Sequence, residues 1–294
     1  MSQYQRLLLI INPALRHSQV MNHAAALAKA SGASLHVCAL MPSWKLLALL
    51  EEGDRKKARA DYLQDHRDWL KEQAKHLRDR GLVVTTEVAW ADDLQQDILD
   101  HVMEMQPDLL IKQVQHEPAL KRAFFTPLDW RLLRHCPIPV YLVGEGGHAM
   151  PRKVVAAVDA SSSEPQGDEL NERIIKQACD LAMQCDAELH LLYACDISAA
   201  YLADMGGLTL ADLTKEQLRD MEKSFLKLAG RYGVSSDRRH FILGHPVPVL
   251  SEFAHRQQVD VIVMGRVQSR GLEKLLGSTT EHTLYQVPCS VLAI

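Results

Sequence analysis

Apolar residues along the chain fall into short continuous runs, which alternate with longer segments whose apolar positions follow a helical spacing. Continuous runs are typical of strands that are covered on both faces, as in a parallel sheet. The segments 18–32 and 56–81 predict helices, the first with a polar cap at its start and a glycine just past its end. This alternation predicts an α/β protein built from βαβ units with right-handed crossovers.

The order of these elements repeats once along the chain. Four strand-like segments of the first half match four segments of the second half, in the same order and at nearly constant spacing. The matched segments are 6–13 with 153–160, 33–41 with 187–195, 108–114 with 260–266, and 137–143 with 288–294. The repeat predicts two tandem doubly wound domains, each with a five-stranded parallel sheet.

A stretch with three glycines and a proline, Gly144 to Pro151, separates the two copies. Such a stretch does not sustain a helix and is typical of a linker. We therefore expect one domain over residues 1–147 and a second over residues 148–294.

Composition and charge exclude several classes of protein. The chain has 294 residues, a hydrophobic fraction of 47% and a formal net charge of −4, which gives no electrostatic reason to expect nucleic acid as a partner. No apolar run approaches the ~20 residues of a membrane helix. The apolar start runs into Asn12-Pro13 without a small-residue cleavage site, so it predicts a strand and not a signal peptide.

Cysteine, histidine and serine form no recognisable catalytic or metal-binding motif. The six cysteines lie far apart without a CxxC pair, and several lie inside apolar runs, where a thiol is typically a small buried hydrophobe. They favour a reducing compartment, most simply the cytoplasm. The fourteen histidines include no HExxH or zinc spacing, so no metal site is predicted. The run Ser161–Ser163 lacks a GxSxG context, and no catalytic residue is predicted.

The candidate ligand site follows the fourth strand of the second half, because ligands of open parallel sheets bind beyond the carboxyl ends of strands. Gly265 ends this strand, a basic loop runs from Arg266 to Gly271, and Gly277 precedes three hydroxyl residues at a helix start. Hydroxyls and free N–H groups at a helix start can cradle a phosphate. Alternatively, the glycines only punctuate a short helix with Ser278 as its N-cap. The spacing alone leaves both interpretations open.

The segment 264–285 resembles the nucleotide loop of universal stress proteins, whose pattern is G-x2-G-x9-G-[ST] after the fourth strand. The end of the first strand, Val158-Asp159, is similar too, since the family places an Asp there beside the adenine and ribose. The resemblance covers both halves and implies the universal stress protein fold, of the adenine nucleotide α hydrolase-like type, with ATP or ADP and Mg²⁺ as ligands. The residues that it marks, together with the loop, are Asp159, Met264, Gly265, Arg266, Gly271, Gly277, Ser278, Thr279 and Thr280.

Two further segments resemble the tandem subgroup of this family. The segment 125–141 is similar to its pattern F-T-P-x-D-W-x-L-L-R-x-C-P-x-P-V, and the segment 164–172 is similar to E-P-x4-L-N-E. The resemblance implies a stress-response protein, with a role in surviving DNA damage or growth arrest.

Two departures from the family pattern concern the ligand site. Gln268 stands where the family has its second glycine, and the spacing from Gln268 to Gly277 is one residue short. A side chain at that position hinders the close approach of backbone to a phosphate. In the first half the segment 112–130 replaces the glycine pattern, and Asn12 stands where the second half has Asp159. The first half is therefore expected to bind no nucleotide.

The sequence thus supports two hypotheses of function. The first is a binding or regulatory protein that is not an enzyme, with its two domains packed as an intramolecular dimer and with an unknown protein partner. The alternative is an ATP or ADP switch, or a slow ATPase, that uses the second domain. Two apolar segments, 44–54 and 197–213, are expected either to pack on the other half or to line an apolar ligand pocket between the domains.

Overall fold

The computed structural model describes residues 4–13, 19–42, 51–115, 127–160, 165–196, 210–266 and 278–294. The chain divides into two compact units, Met1–Val143 and Gly144–Ile294, referred to below as domain 1 and domain 2. The two matched halves of the sequence therefore lie in separate units.

Domain 1 is a parallel sheet with helices between its strands. Its strands are β1 Arg6–Ile11, β2 Ser34–Pro42, β3 Val84–Ala91, β4 Leu109–Gln113 and β5 Val140–Val143. Its described helices are α1 Val20–Ser31, α2 Glu52–Asp79, α3 Leu94–Met105 and α4 Leu128–His135. The spatial order is β3-β2-β1-β4-β5, and each pair of neighbours runs parallel.

Domain 2 repeats this arrangement. Its strands are β6 Lys153–Ala157, β7 Glu188–Cys195, β8 Arg239–Leu243, β9 Val261–Met264 and β10 Ser290–Ala293. Its described helices are α5 Pro165–Cys185, α6 Leu210–Arg231, α7 Pro246–Gln257 and α8 Ser278–Leu284. The order is β8-β7-β6-β9-β10, again with parallel neighbours. The prediction of two tandem doubly wound domains with five parallel strands each is confirmed.

Fully or almost fully buried strands form the core of each domain. Every residue of β5, β9 and β10 is buried, as are all residues of β1 after Arg6, whereas the edge strands β3 and β8 are partly exposed. Burial on both faces explains why these strands read as continuous apolar runs. Among the described helices, none combines the length and the hydropathy that crossing a lipid bilayer requires.

Local signals in the sequence set several helix ends. Gly32, with a φ of 71°, takes the left-handed conformation that ends α1. The side chain of Asp93 accepts hydrogen bonds from the N–H groups of Gln95 and Gln96 and caps α3. Pro246 opens α7, where its missing N–H costs nothing.

An aspartate before the fourth strand of domain 1 holds the start of the first strand. Asp108 Oδ2 accepts hydrogen bonds from the N–H groups of Gln5, at 2.7 Å, and Arg6, at 2.8 Å. These two N–H groups belong to the residue before β1 and to its first residue. We call this arrangement the carboxylate brace.

Domain 2 has the same brace in a more buried form. Asp260 Oδ2 accepts hydrogen bonds from the N–H groups of Arg152, at 2.7 Å, and Lys153, at 3.1 Å. Its Oδ1 lies 2.8 Å from the N–H nitrogen and 2.9 Å from Nδ1 of His148. Burial alone would raise the pKa of Asp260, but these donors outweigh it and hold the pKa below its usual value.

The two braces predict unequal losses of stability on conversion to asparagine. Asp260→Asn removes the charge that binds four donors at a buried site, so we expect the free energy of unfolding to fall by about 2–3 kcal/mol. Asp108→Asn, with two donors at a more exposed site, is expected to cost about 1 kcal/mol. Urea unfolding of the full chain measures both, and equal losses in the two variants would contradict the account.

Candidate functional site

The candidate site lies where the order of strands reverses. In each domain the chain winds outward on one side of the first strand and then returns to its other side, between β1 and β4 or between β6 and β9. The carboxyl ends of these parallel neighbours meet at one edge of the sheet, where ligands of open α/β sheets bind. We call this edge the switch point.

At the switch point of domain 2, Gly265 is held between two helices. Thr280 of α8, which is buried, donates a hydrogen bond from Oγ1 to the carbonyl oxygen of Gly265 at 2.6 Å. A Cβ at Gly265 would lie 2.8 Å from Cδ2 of Leu170 on α5. The side chain of Leu170 therefore fills the space next to Gly265 and would have to move for any larger residue. The structure brings the predicted site residues Gly265 and Thr280 into contact.

Asp159 lies at the same edge, beyond the end of β6. Strand β6 pairs with β9 in a register that sets Ala156 beside Val263. The N–H of Asp159 donates to Oδ1 of the buried Asn171 at 3.0 Å, and Nδ2 of Asn171 donates to the carbonyl oxygen of Asp159 at 2.7 Å. Asn171 thus fixes the backbone at Asp159, a role that its place in the L-N-E segment did not reveal.

Other predicted residues contribute backbone contacts at this edge. The carbonyl oxygen of Met264 accepts a hydrogen bond from the N–H of Ile294, and the N–H of Arg266 donates to the carbonyl oxygen of Ile294. The side chain of Met264 is buried in the core. Thr279, partly buried, precedes Thr280 in α8. These contacts tie the end of β9 to the end of the chain.

The remaining predictions for the loop fall outside the described residues. Gly271 and Gly277 are in this group, as are Gln268 and the run Ser161–Ser163, and Ser278 is the first residue of α8. Most of the two apolar segments is also outside, since residues 43–50 and 197–209 are not described. The phosphate-facing part of the motif therefore stays a prediction.

The switch point of domain 1 holds a buried ion pair. Lys112 Nζ, near the end of β4, lies 2.8 Å from Oδ1 of Asp129 on α4, and the two side chains are 6% and 1% exposed. The other carboxylate oxygen accepts the N–H of Gln115 at 2.9 Å, and Lys112 Nζ also donates to the carbonyl oxygen of Gln113 at 2.9 Å. A buried pair of charges is tolerated because each partner is satisfied in this way.

This ion pair lies at the part of the fold where domain 2 has the contact between Gly265 and Thr280. In the alignment of the two halves, Lys112 matches Met264 and Asp129 matches Thr280. Sequence reasoning missed the pair, although a lysine inside an apolar strand and an aspartate in the F-T-P-x-D-W pattern were its two signals. The two domains share a fold and differ in the residues at their switch points.

Removing one partner of the pair is expected to cause a large loss of stability, and removing the charge of the other partner as well is expected to restore most of it. Lys112→Met leaves Asp129 buried without its cation, so we expect the free energy of unfolding to fall by about 3–5 kcal/mol. The double variant Lys112→Met/Asp129→Asn keeps an acceptor for Gln115 without a buried charge and is expected to recover most of the loss. Urea unfolding tests both, and a double variant no more stable than Lys112→Met would refute the coupling.

Comparison with known proteins gives the family of the chain. The model of the universal stress protein family matches residues 3–144 and again residues 150–294. Universal stress protein E of Escherichia coli strain K12 is 27% identical over 301 aligned residues, which cover 100% of this chain and 95% of that protein. Universal stress protein E of Photorhabdus laumondii is 28% identical, covering 100% of this chain and 96% of the relative.

Solved structures agree with this result. A Pseudomonas aeruginosa PAO1 protein described as functionally unknown has a TM-score of 0.73 and 25% identity, covering 100% of this chain and 93% of its own. A universal stress protein from Archaeoglobus fulgidus shares the fold, with a TM-score of 0.66, 16% identity, and coverage of 98% and 95%. With two family matches in one chain and relatives of nearly equal length, the chain belongs to the universal stress protein family as a tandem member.

Proposed function

We propose that this protein acts by binding, as a regulator in the stress response without a turnover of its own, and that its two domains have different tasks. Membership of the universal stress protein family supports a role in stress response. The observation that carries the proposal is the difference between the two switch points, a buried ion pair in domain 1 and a glycine with a hydroxyl partner in domain 2.

The ion pair supports a domain 1 that binds no nucleotide. A phosphate that binds at the carboxyl end of a strand needs cations and free N–H donors. In domain 1 the ammonium group of Lys112 and the N–H of Gln115 both bind Asp129, and the carboxylate would repel an incoming phosphate. Domain 1 would then serve as a binding or regulatory half beside domain 2.

A second candidate function, a nucleotide-dependent switch, is favoured by Gly265. Gly265 follows β9 and Asp159 lies beyond the end of the neighbouring strand β6, so both are at the switch point of domain 2. The family resemblance assigns Asp159 to the adenine and ribose, and it assigns Gly277 and Ser278 to the phosphates of ATP or ADP, which Mg²⁺ would accompany. A nucleotide bound here would be the signal that domain 2 senses.

Native mass spectrometry of the full chain, purified without added nucleotide, tests this switch. We expect a mass increment of one ATP, ADP or AMP per chain, lost in Gly277→Arg because the family resemblance assigns Gly277 to the phosphates. Gly53→Arg is the matched control, because no heavy atom lies within 4 Å of a Cβ built at Gly53 of α2. A clean apo mass, with no uptake when ATP is titrated, would remove the switch and leave a binding protein whose partner is another protein.

Phosphate release from ATP separates a binding protein from a slow ATPase. The binding proposal expects no sustained release by the full chain. Release over many turnovers, lost in Gly277→Arg and kept in Gly53→Arg, would contradict the proposal that the protein has no turnover of its own.

Three further parts of the proposal rest on the sequence. The duplication supports pairing of the two domains within one chain, as single-domain family members pair in dimers.

The family resemblance supports a role in surviving DNA damage or growth arrest, and a deletion strain that survives ultraviolet light as well as its parent would count against it. The apolar-ligand proposal rests on the composition of the two apolar segments.

A further inference from the structure

Four side chains with metal-ligating atoms meet on one face of the domain 1 sheet, in the middle of strands β2 and β3. His36 and Cys38 alternate along β2 and therefore project from the same face. Glu87 of β3 is the register partner of Cys38. Helix α3 packs on β2 and brings His101 to the cluster. We call these residues the His-Cys-Glu-His cluster.

The ligating atoms of the cluster are close to one another. One atom each from His36, Cys38 and Glu87 lie within 4.8 Å of one another. Nε2 of His101 lies 3.6 Å from Sγ of Cys38 and 3.4 Å from Oε1 of Glu87. Nε2 of His36 lies 3.7 Å from Oε2 of Glu87. His36, Cys38 and Glu87 are therefore mutually close, and His101 joins them through its contacts with Cys38 and Glu87.

These separations fit a tetrahedral ion. Zinc lies about 2.0–2.1 Å from histidine nitrogen, about 2.3 Å from thiolate sulfur and about 2.1 Å from carboxylate oxygen. Around a tetrahedral centre these bond lengths put nitrogen about 3.6 Å from sulfur and about 3.4 Å from oxygen. The two distances from His101 Nε2, to Cys38 Sγ and to Glu87 Oε1, have these values.

Both histidines are held with Nε2 aimed at the cluster. Nδ1 of His101 lies 2.7 Å from the carbonyl oxygen of Asp97, which can only accept, so Nδ1 donates and Nε2 is the ring nitrogen that faces the cluster. Nδ1 of His36 lies 2.8 Å from Oγ1 of Thr85, while Nε2 of His36 is buried without a hydrogen bond. A hydrogen bond from the other ring nitrogen is the usual support of a metal-ligating histidine.

The burial of the cluster suits an ion that binds from one side. Cys38 is fully buried, His36 and His101 are 14% and 17% exposed, and Glu87 is 45% exposed, so solvent has access past the glutamate. Burial and the nearby Glu87 raise the pKa of the Cys38 thiol. The sulfur binds an ion as the thiolate, so the binding free energy of the ion must also cover the loss of the thiol proton.

We propose that His36, Cys38, Glu87 and His101 form a binding site for a divalent ion of the Zn²⁺ class. One thiolate, two imidazoles and one carboxylate are a donor set that suits zinc, and four protein ligands are typical of a structural zinc site. The ion would join α3 to β2 and β3 and stabilise the folded state, because the unfolded chain does not preassemble the ligands.

Domain 2 lacks the thiol of this cluster. His190 matches His36 in the repeat, but Leu192 stands where domain 1 has Cys38. Nδ1 of His190 is instead 2.9 Å from Nε2 of His240. The site therefore belongs to domain 1, and His190 offers a matched control for His36.

Titration of the full chain, stripped of metal with a chelator, tests the site with Co²⁺ and then Zn²⁺. We expect one Co²⁺ per chain with a thiolate-to-cobalt charge-transfer band, displacement by Zn²⁺, and a melting temperature that rises with Zn²⁺. Cys38→Ser should lose the band, and Glu87→Gln, a change at a half-exposed side chain, should weaken Zn²⁺ binding at least tenfold, about 1.4 kcal/mol. Circular dichroism verifies that each variant is folded.

The controls alter a cysteine and a histidine outside the cluster. Cys179→Ser and His190→Gln, both in domain 2, are expected to keep the cobalt band, the stoichiometry and the affinity. The proposal is overturned if the wild-type chain binds no ion at micromolar concentration, if folded Cys38→Ser keeps the band, or if Glu87→Gln binds Zn²⁺ as tightly as the wild type.

Discussion

The parallel sheet, buried on both faces, is the constraint on which the rest of the structure depends. Strands such as β4, β5, β9 and β10 place nearly every side chain in the core, so their faces are not available for ligand chemistry. Polar side chains that can contact a ligand therefore lie at the ends of the strands and on the edge strands. The switch points lie at strand ends, and the His-Cys-Glu-His cluster lies toward the partly exposed edge of domain 1.

Duplication has kept what holds the fold and changed what lies at the switch point. Asp108 and Asp260 occupy matched positions and hold the first strand of each domain through the same backbone donors. At the switch points, by contrast, domain 1 has the ion pair of Lys112 with Asp129, and domain 2 has the hydrogen bond from Thr280 to Gly265. A shared fold with different switch points fits a protein in which function resides in local sites.

The strands and several helix ends could be predicted because their signals are local. Apolar runs marked β1 and β9, and Gly32 marked the end of α1. The Lys112–Asp129 pair joins residues 17 positions apart, and Cys38 meets His101 across 63 positions, so no sequence spacing reveals either contact. Only the packing of helices on the sheet brings such partners together.

Hydrogen–deuterium exchange of the full chain, with and without ATP and Mg²⁺, tests the central claim that the two switch points differ. The account predicts that nucleotide slows exchange at the ends of β6 and β9 and at the start of α8, where Asp159, Gly265 and Thr280 lie. Exchange at residues 112–115 and at the start of α4 should not change. Protection at the switch point of domain 1, or equal protection in both domains, would contradict the account.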